Sequence, residues 1–330
     1  MKRLSILGIL WILWGPMGSA WAFTKVGTTV ATFLKLGTDA RAMAMGNAYV
    51  AVATGPESFY WNPAGSAWNP KSAAKMGYTQ WFAGIRLLAA SAMMPVSRYA
   101  VVGVGVMAVN SGPMEVTTLE HPEGTGRTFS YTGTAVSLFA SQRVYTRLSV
   151  GGAVKVIQEG IDHSSAMGLA LDFGLRFDAG WHGLVLAMGF YNFGERMRID
   201  GENLKIQVDP NPDYGGNPEA SARLVTSDWA LPTQFRVGIA WYPFQGVPFL
   251  VAIDGVHPSD HEEQVHLGLE YPLGPLALRW GYQFRSDVGG LTFGFGFATQ
   301  KPRYQIGLDY AYQDLGILGG VHRFTLSVTR

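Results

Sequence analysis

The sequence predicts an all-β protein, a transmembrane antiparallel β-barrel of about 14 strands with an N-terminal helical plug in the lumen. Three observations support this fold class. Large apolar residues alternate with small or polar ones through most of the chain after residue 73. The connections between these runs are short at one end of the predicted sheet and longer at the other. A stretch of a different, helical character precedes the first run.

The first 22 residues have the features of a signal peptide. Lys2 and Arg3 precede an apolar core at 4–14, and Ala20-Trp21-Ala22 forms an A-x-A cleavage site. The alternative, an uncleaved anchor, is less favoured because an apolar run this short does not span a bilayer. We therefore expect cleavage near Ala22 and export to the outer membrane of a Gram-negative bacterium.

Residues 23–73 are predicted to form the plug. Thr38 or Asp39 can cap a helix, a run of Ala, Met and Val follows, and Gly55-Pro56 supplies a stop. These features predict one helix of about 15 residues. The body is mostly small or apolar, so we expect this helix to be buried against a close neighbour.

Arg41 is the exception in this helix, because a cation in the first turn opposes the helix dipole. Its position predicts a carboxylate partner elsewhere in the fold. The alternative is an ordinary arginine on a solvated surface.

Residues 74–330 are predicted to form the transmembrane barrel. In 276–285, for example, Trp280, Tyr282 and Phe284 alternate with Arg279, Gly281 and Gln283. The predicted strands are 74–82, 86–94, 98–110, 129–143, 147–158, 164–177, 183–193, 233–242, 249–255, 264–271, 276–285, 291–299, 303–313 and 321–329.

The connections and the aromatic residues indicate a membrane barrel rather than a soluble one. The longest loops, 111–128 and 194–232, fall at the same predicted end, whereas the turns at the other end are short. Short periplasmic turns and longer external loops are typical of outer-membrane barrels, and rings near both strand ends predict two aromatic belts in contact with lipid. A soluble all-β domain is the alternative, but it would have to bury about 14 apolar faces.

The opposite face of the strands would line the lumen. It carries charged residues that we expect to pair with one another or with the plug, while a polar conduit is the weaker alternative. The lumen charges singled out are Asp172, Arg176, Arg236, Glu270, Arg279 and Asp309. Three of them, Asp172, Glu270 and Asp309, are candidate partners for Arg41, and the sequence does not choose among them.

Composition argues against several functional classes. A net charge of +1 with 15% charged residues gives no basic surface for nucleic acid, and the absence of Cys excludes thiol catalysis. The seven His residues are scattered, and no Ser-His-acid set can be assembled. The loop at 257–263 reads as a solvated acidic loop rather than a metal site. We therefore expect no enzyme activity, no catalytic residues, no metal and no cofactor.

Three N-terminal motifs resemble the signature of the PorV/PorQ family, which looks like a branch of the FadL-type long-chain fatty acid transporters. They are FLKLG at 33–37, ARAMAMGNAYVAVA at 40–53 and YWNPAG at 60–65. The last strand, GVHRFTLSV at 320–328, is also similar to that of the family.

This resemblance implies a 14-stranded outer-membrane barrel with an N-terminal hatch that rearranges to pass hydrophobic compounds. By motif match, the plug or hatch residues are Arg41, Gly46, Asn62, Pro63 and Ala64. In PorV itself, the barrel serves type IX protein secretion and carries exported cargo to an attachment complex.

Two functional hypotheses follow. The first is passage of a small hydrophobic molecule, for which Phe59, Tyr60 and Trp61 would offer an apolar patch; their alternative role is to pack the plug. The second is a binding module in type IX secretion, with the external loop 194–232 as the surface that contacts secretion-system proteins.

Overall fold

A computed structural model describes residues 26–209, 220–244, 246–286, 290–301 and 303–330, and most of them form a closed antiparallel barrel. The strands are β1 Ala73–Gln80, β2 Arg86–Ser97, β3 Ala100–Asn110, β4 Tyr131–Tyr145, β5 Leu148–Ile161, β6 Ser164–Asp178, β7 Val185–Gly194, β8 Gln234–Trp241, β9 Leu250–Pro258, β10 Gln264–Leu273, β11 Leu276–Phe284, β12 Leu291–Gln300, β13 Gln305–Asp314 and β14 Gly320–Thr329. Each strand pairs with its neighbours in the chain, and β1 pairs with β14 from Ala73 opposite Thr329 to Gln80 opposite His322, which closes the ring. The predicted barrel of 14 strands is confirmed.

The alternation of the sequence separates the two faces of the wall. In β11, Trp280 and Tyr282 point outward and are 46% and 43% exposed, whereas Arg279 and Gln283 point inward and are buried. The same pattern recurs around the ring, so the outer face is a continuous apolar surface. Such a surface is stable against lipid rather than water, which makes this a membrane-spanning barrel.

The two ends of the barrel differ in the length of their connections. We call one the turn end, where 98–99, 146–147, 179–184, 242–249, 274–275 and 301–304 connect the strands. We call the other the loop end, where 81–85, 111–130, 162–163, 195–233, 259–263, 285–290 and 315–319 connect them. The loop predicted at 159–163 is shorter than expected, because β5 and β6 continue their pairing to Ile161 and Ser164.

The loops contain short elements of their own. These are 3-10 turns Phe82–Gly84, Glu202–Leu204 and Gly316–Leu318, and short strands Met114–Glu115, Thr128–Phe129, Asp200–Gly201, Lys205–Val208 and Ala220–Arg223.

Residues 26–72, which we call the inner segment, lie inside the ring. The segment contains the helices α1 Ala40–Ala44 and α2 Ser58–Trp61, with 3-10 turns at Thr32–Lys35 and Pro63–Trp68. It runs from the loop end, where the Val30 N–H donates to the Ala230 carbonyl at 3.0 Å, to the turn end, where β1 begins.

The single helix of about 15 residues predicted from Thr38 to Gly55 is wrong. Helix α1 ends at Ala44, because Gly46 adopts a left-handed φ of 63° and Asn47 one of 64°. The Gly46 and Asn47 N–H groups donate back to the Met43 and Ala42 carbonyls, the pattern of a Schellman C-terminus. A Cβ at Gly46 would lie 2.7 Å from the Leu267 carbonyl oxygen of the wall, so this close approach also requires glycine.

Among the described residues, no helix is long and apolar enough to cross a bilayer. The predicted signal peptide and the start of the predicted plug, residues 1–25, lie outside the described part of the chain.

Candidate functional site

The candidate site is the interior of the barrel, where the inner segment meets the wall. Arg41 of α1 makes a two-pronged ion pair with Glu270 of β10. Its Nη2 lies 2.6 Å from Oε1 and its Nε lies 2.7 Å from Oε2. Of the three candidate partners for Arg41, the structure therefore selects Glu270.

The other two candidates pair with residues of the wall. Arg279 donates from Nε to Glu270 at 2.6 Å and from Nη1 to Asp309 at 2.6 Å. Arg41, Glu270, Arg279 and Asp309 thus form one chain of alternating charges across β10, β11 and β13. Asp172 is on a different part of the wall and pairs with Lys155 at 2.7 Å.

A second charge cluster holds both ends of the central part of the inner segment. Lys75 of β1 lies 2.7 Å from Asp39 and 2.8 Å from Glu57. Asp39 also accepts a hydrogen bond from the Ala42 N–H and so caps α1.

Sequence reasoning did not identify this cluster. Asp39 was considered only as a helix cap, and Glu57 was not singled out. The available signal was Lys75, a lysine at an inward position of the first strand, which requires an acidic partner inside the barrel.

Asp254 of β9 binds the backbone of the inner segment. Its Oδ2 accepts hydrogen bonds from the Tyr49 and Val50 N–H groups, at 2.6 and 2.9 Å. These two donors are free because α1 has already ended, so the wall satisfies them instead of a continued helix.

The Asn62-Pro63-Ala64 motif lies against β5 and β6 near the turn end. Asn62 accepts from the Ala64 N–H at 3.1 Å, and its amide donates to the Val50 carbonyl at 3.1 Å and to the Leu175 carbonyl of β6 at 3.2 Å. The wall has glycines here, and a Cβ at Gly151 would lie 2.5 Å from the Ala64 nitrogen. Asn62 therefore holds the turn, while the missing side chain allows the backbones to touch.

The next part of the inner segment closes the turn end. Trp68 lies between the guanidinium groups of Arg143 and Arg176, 4.4 and 4.6 Å from its ring centre, and donates from Nε1 to Ser149 at 2.7 Å. Ser66 and Ser141 also share a hydrogen bond of 2.6 Å.

The ring cluster Phe59, Tyr60 and Trp61 is buried between the inner segment and the wall. Phe59 lies over Gly105 of β3, where a Cβ would come within 2.3 Å of the ring. The Trp61 ring packs edge-on against Tyr49 at 5.7 Å and against Tyr60 at 4.9 Å. Packing is thus visible for all three rings, and Tyr60 and Trp61 also face an internal cavity.

That cavity has a volume of about 250 Å³ and lies at the loop end of the inner segment. Arg236 of β8 lines it and stacks on the rings of Tyr60, Trp61 and Tyr191, at 5.4, 5.4 and 4.9 Å. Two of the six predicted lumen charges, Arg176 and Arg236, are therefore held by rings, and within the described residues neither has a carboxylate within 4.0 Å. Arg285, which directly follows the last residue of β11, is exposed.

The loop at 257–263 contains a contact between His257 and Glu263 of 3.2 Å. In the part of the chain that the structure describes, no three His, Asp or Glu side chains are grouped so as to hold a metal ion.

Comparison with solved structures shows the fold. The chain is similar to the CymD monoaromatic hydrocarbon channel, with 13% identity, a TM-score of 0.59 and coverage of 89% of this chain and 96% of that one. The Ralstonia pickettii toluene transporter TbuX is 12% identical, with a TM-score of 0.60 and coverage of 89% of this chain and 97% of that one. A Pseudomonas aeruginosa FadL homologue is 12% identical, with a TM-score of 0.59 and coverage of 92% of this chain and 99% of that one.

No protein-family model and no curated protein matches the chain, so the resemblance to the PorV/PorQ family is not confirmed. In each comparison, the structural similarity extends over nearly the whole length of both chains. The chain therefore has the fold of a FadL-type barrel, with fourteen antiparallel strands closed into a ring.

Proposed function

We propose that this protein is an outer-membrane barrel through which small hydrophobic compounds cross the membrane, without covalent chemistry. The observation that carries this proposal is the similarity, over 89% of the chain, to channels named for monoaromatic hydrocarbons and toluene. The apolar outer face would contact the lipid of the outer membrane.

The inner segment is the proposed gate. It fills the lumen between opposite walls, with α1 near β11–β14 and the Pro63–Trp68 turn near β4–β6. A compound that crosses must therefore displace part of this segment. The hatch residues implied by the family resemblance, Arg41, Gly46, Asn62, Pro63 and Ala64, all make contacts that such a movement would break.

The ring cluster is the proposed apolar surface along the path of the hydrophobic compound. Phe59, Tyr60 and Trp61 lie where the inner segment meets the wall, and their displacement would expose an apolar surface to a compound in the lumen. The structural similarities give no support to the alternative role in type IX secretion, and residues 210–219 of the loop assigned to it lie outside the described residues.

An engineered disulfide that locks the inner segment to the wall tests the proposal. The chain has no native Cys, so the two introduced cysteines can pair only with each other. Ser66 of the inner segment and Ser141 of β4 have their Oγ atoms 2.6 Å apart, so Ser66→Cys with Ser141→Cys is placed to form a disulfide. The variant is expressed in a Gram-negative host, and uptake of radiolabelled toluene and of a fluorescent long-chain fatty acid is measured before and after reduction.

We expect uptake by the wild-type protein above a vector control, loss of uptake in the oxidised double variant and recovery on reduction. The single variant Ser66→Cys is the control and should behave as wild type in both states. Wild-type uptake equal to the vector control would overturn the passage proposal. Uptake that persists in the locked protein would overturn the assignment of the gate to this part of the inner segment.

A further inference from the structure

The cavity at the loop end differs in character from the apolar path proposed above. It lies between the inner segment, which contributes Gly37, Asn47, Tyr60 and Trp61, and the ends of β8, β10, β11, β13 and β14. Its lining includes Trp81 and Leu315, which directly follow the loop-end termini of β1 and β13. The cavity is therefore reached from the loop side and not from the turn end, which the Trp68 contacts close.

Two buried guanidinium groups face this cavity, and neither is in direct contact with a carboxylate of the described residues. Arg323 of β14 is 2% exposed and donates from Nε to the Thr79 hydroxyl at 2.6 Å. Arg236 is 7% exposed and donates from Nε to the Gln234 side-chain oxygen at 2.9 Å. Among the described residues, neither has a carboxylate within 4.0 Å, and those that line the cavity include no Asp or Glu.

Burying a cation without a counter-charge is costly, because its lost hydration is not replaced. Arg41, Lys75, Lys155 and Arg279 avoid that cost, since each has a carboxylate partner. Arg176, which has none among the described residues, is only partly buried. Arg236 and Arg323 therefore depart from the pattern of their own barrel.

Unpaired hydrogen-bond donors line the same cavity. Within the described part of the chain, Trp61 Nε1 and Gln283 Nε2 have no hydrogen-bond partner, and both side chains are at least nine-tenths buried. The Tyr60 hydroxyl lines the same cavity beside Arg236. An indole nitrogen and an amide nitrogen can only donate. Asn47 Oδ1, an acceptor, also lacks a partner among the described residues, but donors dominate once the two guanidinium groups are included.

Gly37 keeps open the point where these groups converge. A Cβ there would lie 3.0 Å from Arg323 Nη1, 3.1 Å from Trp61 Cζ2 and 3.2 Å from Asn47 Oδ1. A side chain at this position would thus take the space between the Arg323 guanidinium and the Trp61 ring.

We propose that this cavity is a binding site for a small oxyanion, a carboxylate or a phosphate group, that enters from the loop end. Arg236 and Arg323 supply the compensating charge, and Trp61, Tyr60 and Gln283 donate hydrogen bonds to its oxygens. Charge-assisted hydrogen bonds from guanidinium groups are well suited to such groups. The volume of about 250 Å³ suits a compact anion. The site does not depend on the passage of hydrophobic compounds.

Isothermal titration calorimetry of the purified full-length protein in a zwitterionic detergent tests the site, with acetate, benzoate and phosphate as separate probes. We expect saturable binding of at least one probe, and the comparison of the carboxylates with phosphate identifies the preferred group. Trp61→Phe keeps a ring but removes the donor, and Arg323→Gln removes the charge. Each should weaken binding about tenfold or more, the effect of one hydrogen bond to a charged group.

Gly37→Ala should also weaken binding, because its methyl group narrows the cavity without changing any charge. Arg127→Gln, which alters an exposed loop arginine, is the matched control and should bind as wild type does. Heat-modifiable migration on gels verifies that each variant is folded, and Trp61→Phe with Gly37→Ala carries the test if Arg323→Gln does not fold. No saturable binding of any probe, which would leave only water in the cavity, overturns the proposal, and so does binding that Trp61→Phe and Gly37→Ala leave unchanged.

Discussion

The two sides of the inner segment are attached to the wall by different kinds of contact. On the α1 side, Arg41 pairs with Glu270, and the wall continues the alternation of charges through Arg279. On the opposite side, Asn62 and Ala64 touch β5 and β6 through neutral hydrogen bonds and through the close approach at Gly151. One side depends on charge and the other on shape.

The difference shows what each side tolerates. A buried ion pair accepts small changes of distance, but removal of one partner leaves a charge uncompensated. A contact between backbones at a glycine has no charge to lose, but it cannot accommodate one added methyl group. Substitutions can therefore release either side of the inner segment separately.

The largest expected effect is that of Glu270→Gln on the charged side. The change leaves the guanidinium groups of Arg41 and Arg279 without the carboxylate they share, and we expect the free energy of unfolding to fall by about 3 to 5 kcal/mol. Chemical denaturation of the protein in detergent measures it.

Two further variants make this result specific. Arg41→Gln should cost less, about 1 to 2 kcal/mol, because Glu270 keeps its bond to Arg279 and Arg41 is the more exposed partner. Glu263→Gln, which alters an exposed loop carboxylate, should have almost no effect. Equal losses for Glu270→Gln and Glu263→Gln would show that the buried network does not hold the inner segment.

The next effect is that of Gly151→Val on the side that depends on shape. Its Cβ would lie within 2.5 Å of the Pro63 and Ala64 backbone, so we expect a loss of about 3 kcal/mol and easier proteolysis of the inner segment. Gly255→Val is the matched control, because Gly255 is on an outward face of β9 with no atom within 4 Å of its added Cβ. If both valines are tolerated equally, the close approach at Gly151 does not matter.

The wall of the barrel could be predicted from the sequence, and the path of the inner segment could not. Alternation is a local signal, so the sequence alone predicts that Trp280 points outward and Arg279 inward, whichever strands lie beside them. The prediction of one long helix was wrong because Gly46 was counted as part of a helical run. Its left-handed conformation is fixed by contact with the backbone of β10 and β11, which are distant in sequence.

The charges show the same limit. The sequence indicated that Arg41 needs a carboxylate but left three candidates, since their distances depend on barrel closure. The Lys75 cluster was missed for the same reason. Arg236 was predicted as a lumen charge that pairs, whereas among the described residues neither Arg236 nor Arg323 has a carboxylate within 4.0 Å. An inward charge is visible in a period-two pattern, whereas the presence or absence of its partner is a property of the folded lumen.

A smaller effect is expected for Asn62→Ala. The change leaves the Val50 and Leu175 carbonyls and the Ala64 N–H without partners, which should cost about 2 kcal/mol of unfolding free energy. Asn110→Ala, at an exposed strand end, is the control. Uptake measured on the same variants separates two roles: reduced stability with unchanged uptake would make Asn62 a structural residue and not part of a gate.

The smallest effect concerns pH at the loop end, where the inner segment begins. Asp260 accepts hydrogen bonds from Lys35 at 2.7 Å and Thr29 at 2.6 Å. Burial raises the pKa of Asp260, but these two contacts outweigh it and place the pKa below the ordinary 3.8. The carboxylate therefore stabilises this contact above pH 3.8, and the stabilisation is lost as the pH falls through the lowered pKa.

A spin label at Val26→Cys should be immobilised at neutral pH and become mobile only in strong acid, whereas Asp260→Asn should make it mobile at neutral pH. Loss of the Asp260–Lys35 contact should lower the free energy of unfolding by less than about 1 kcal/mol, since Lys35 is partly exposed. A label that moves freely in the wild-type protein at pH 7 would show that Asp260 does not hold this end.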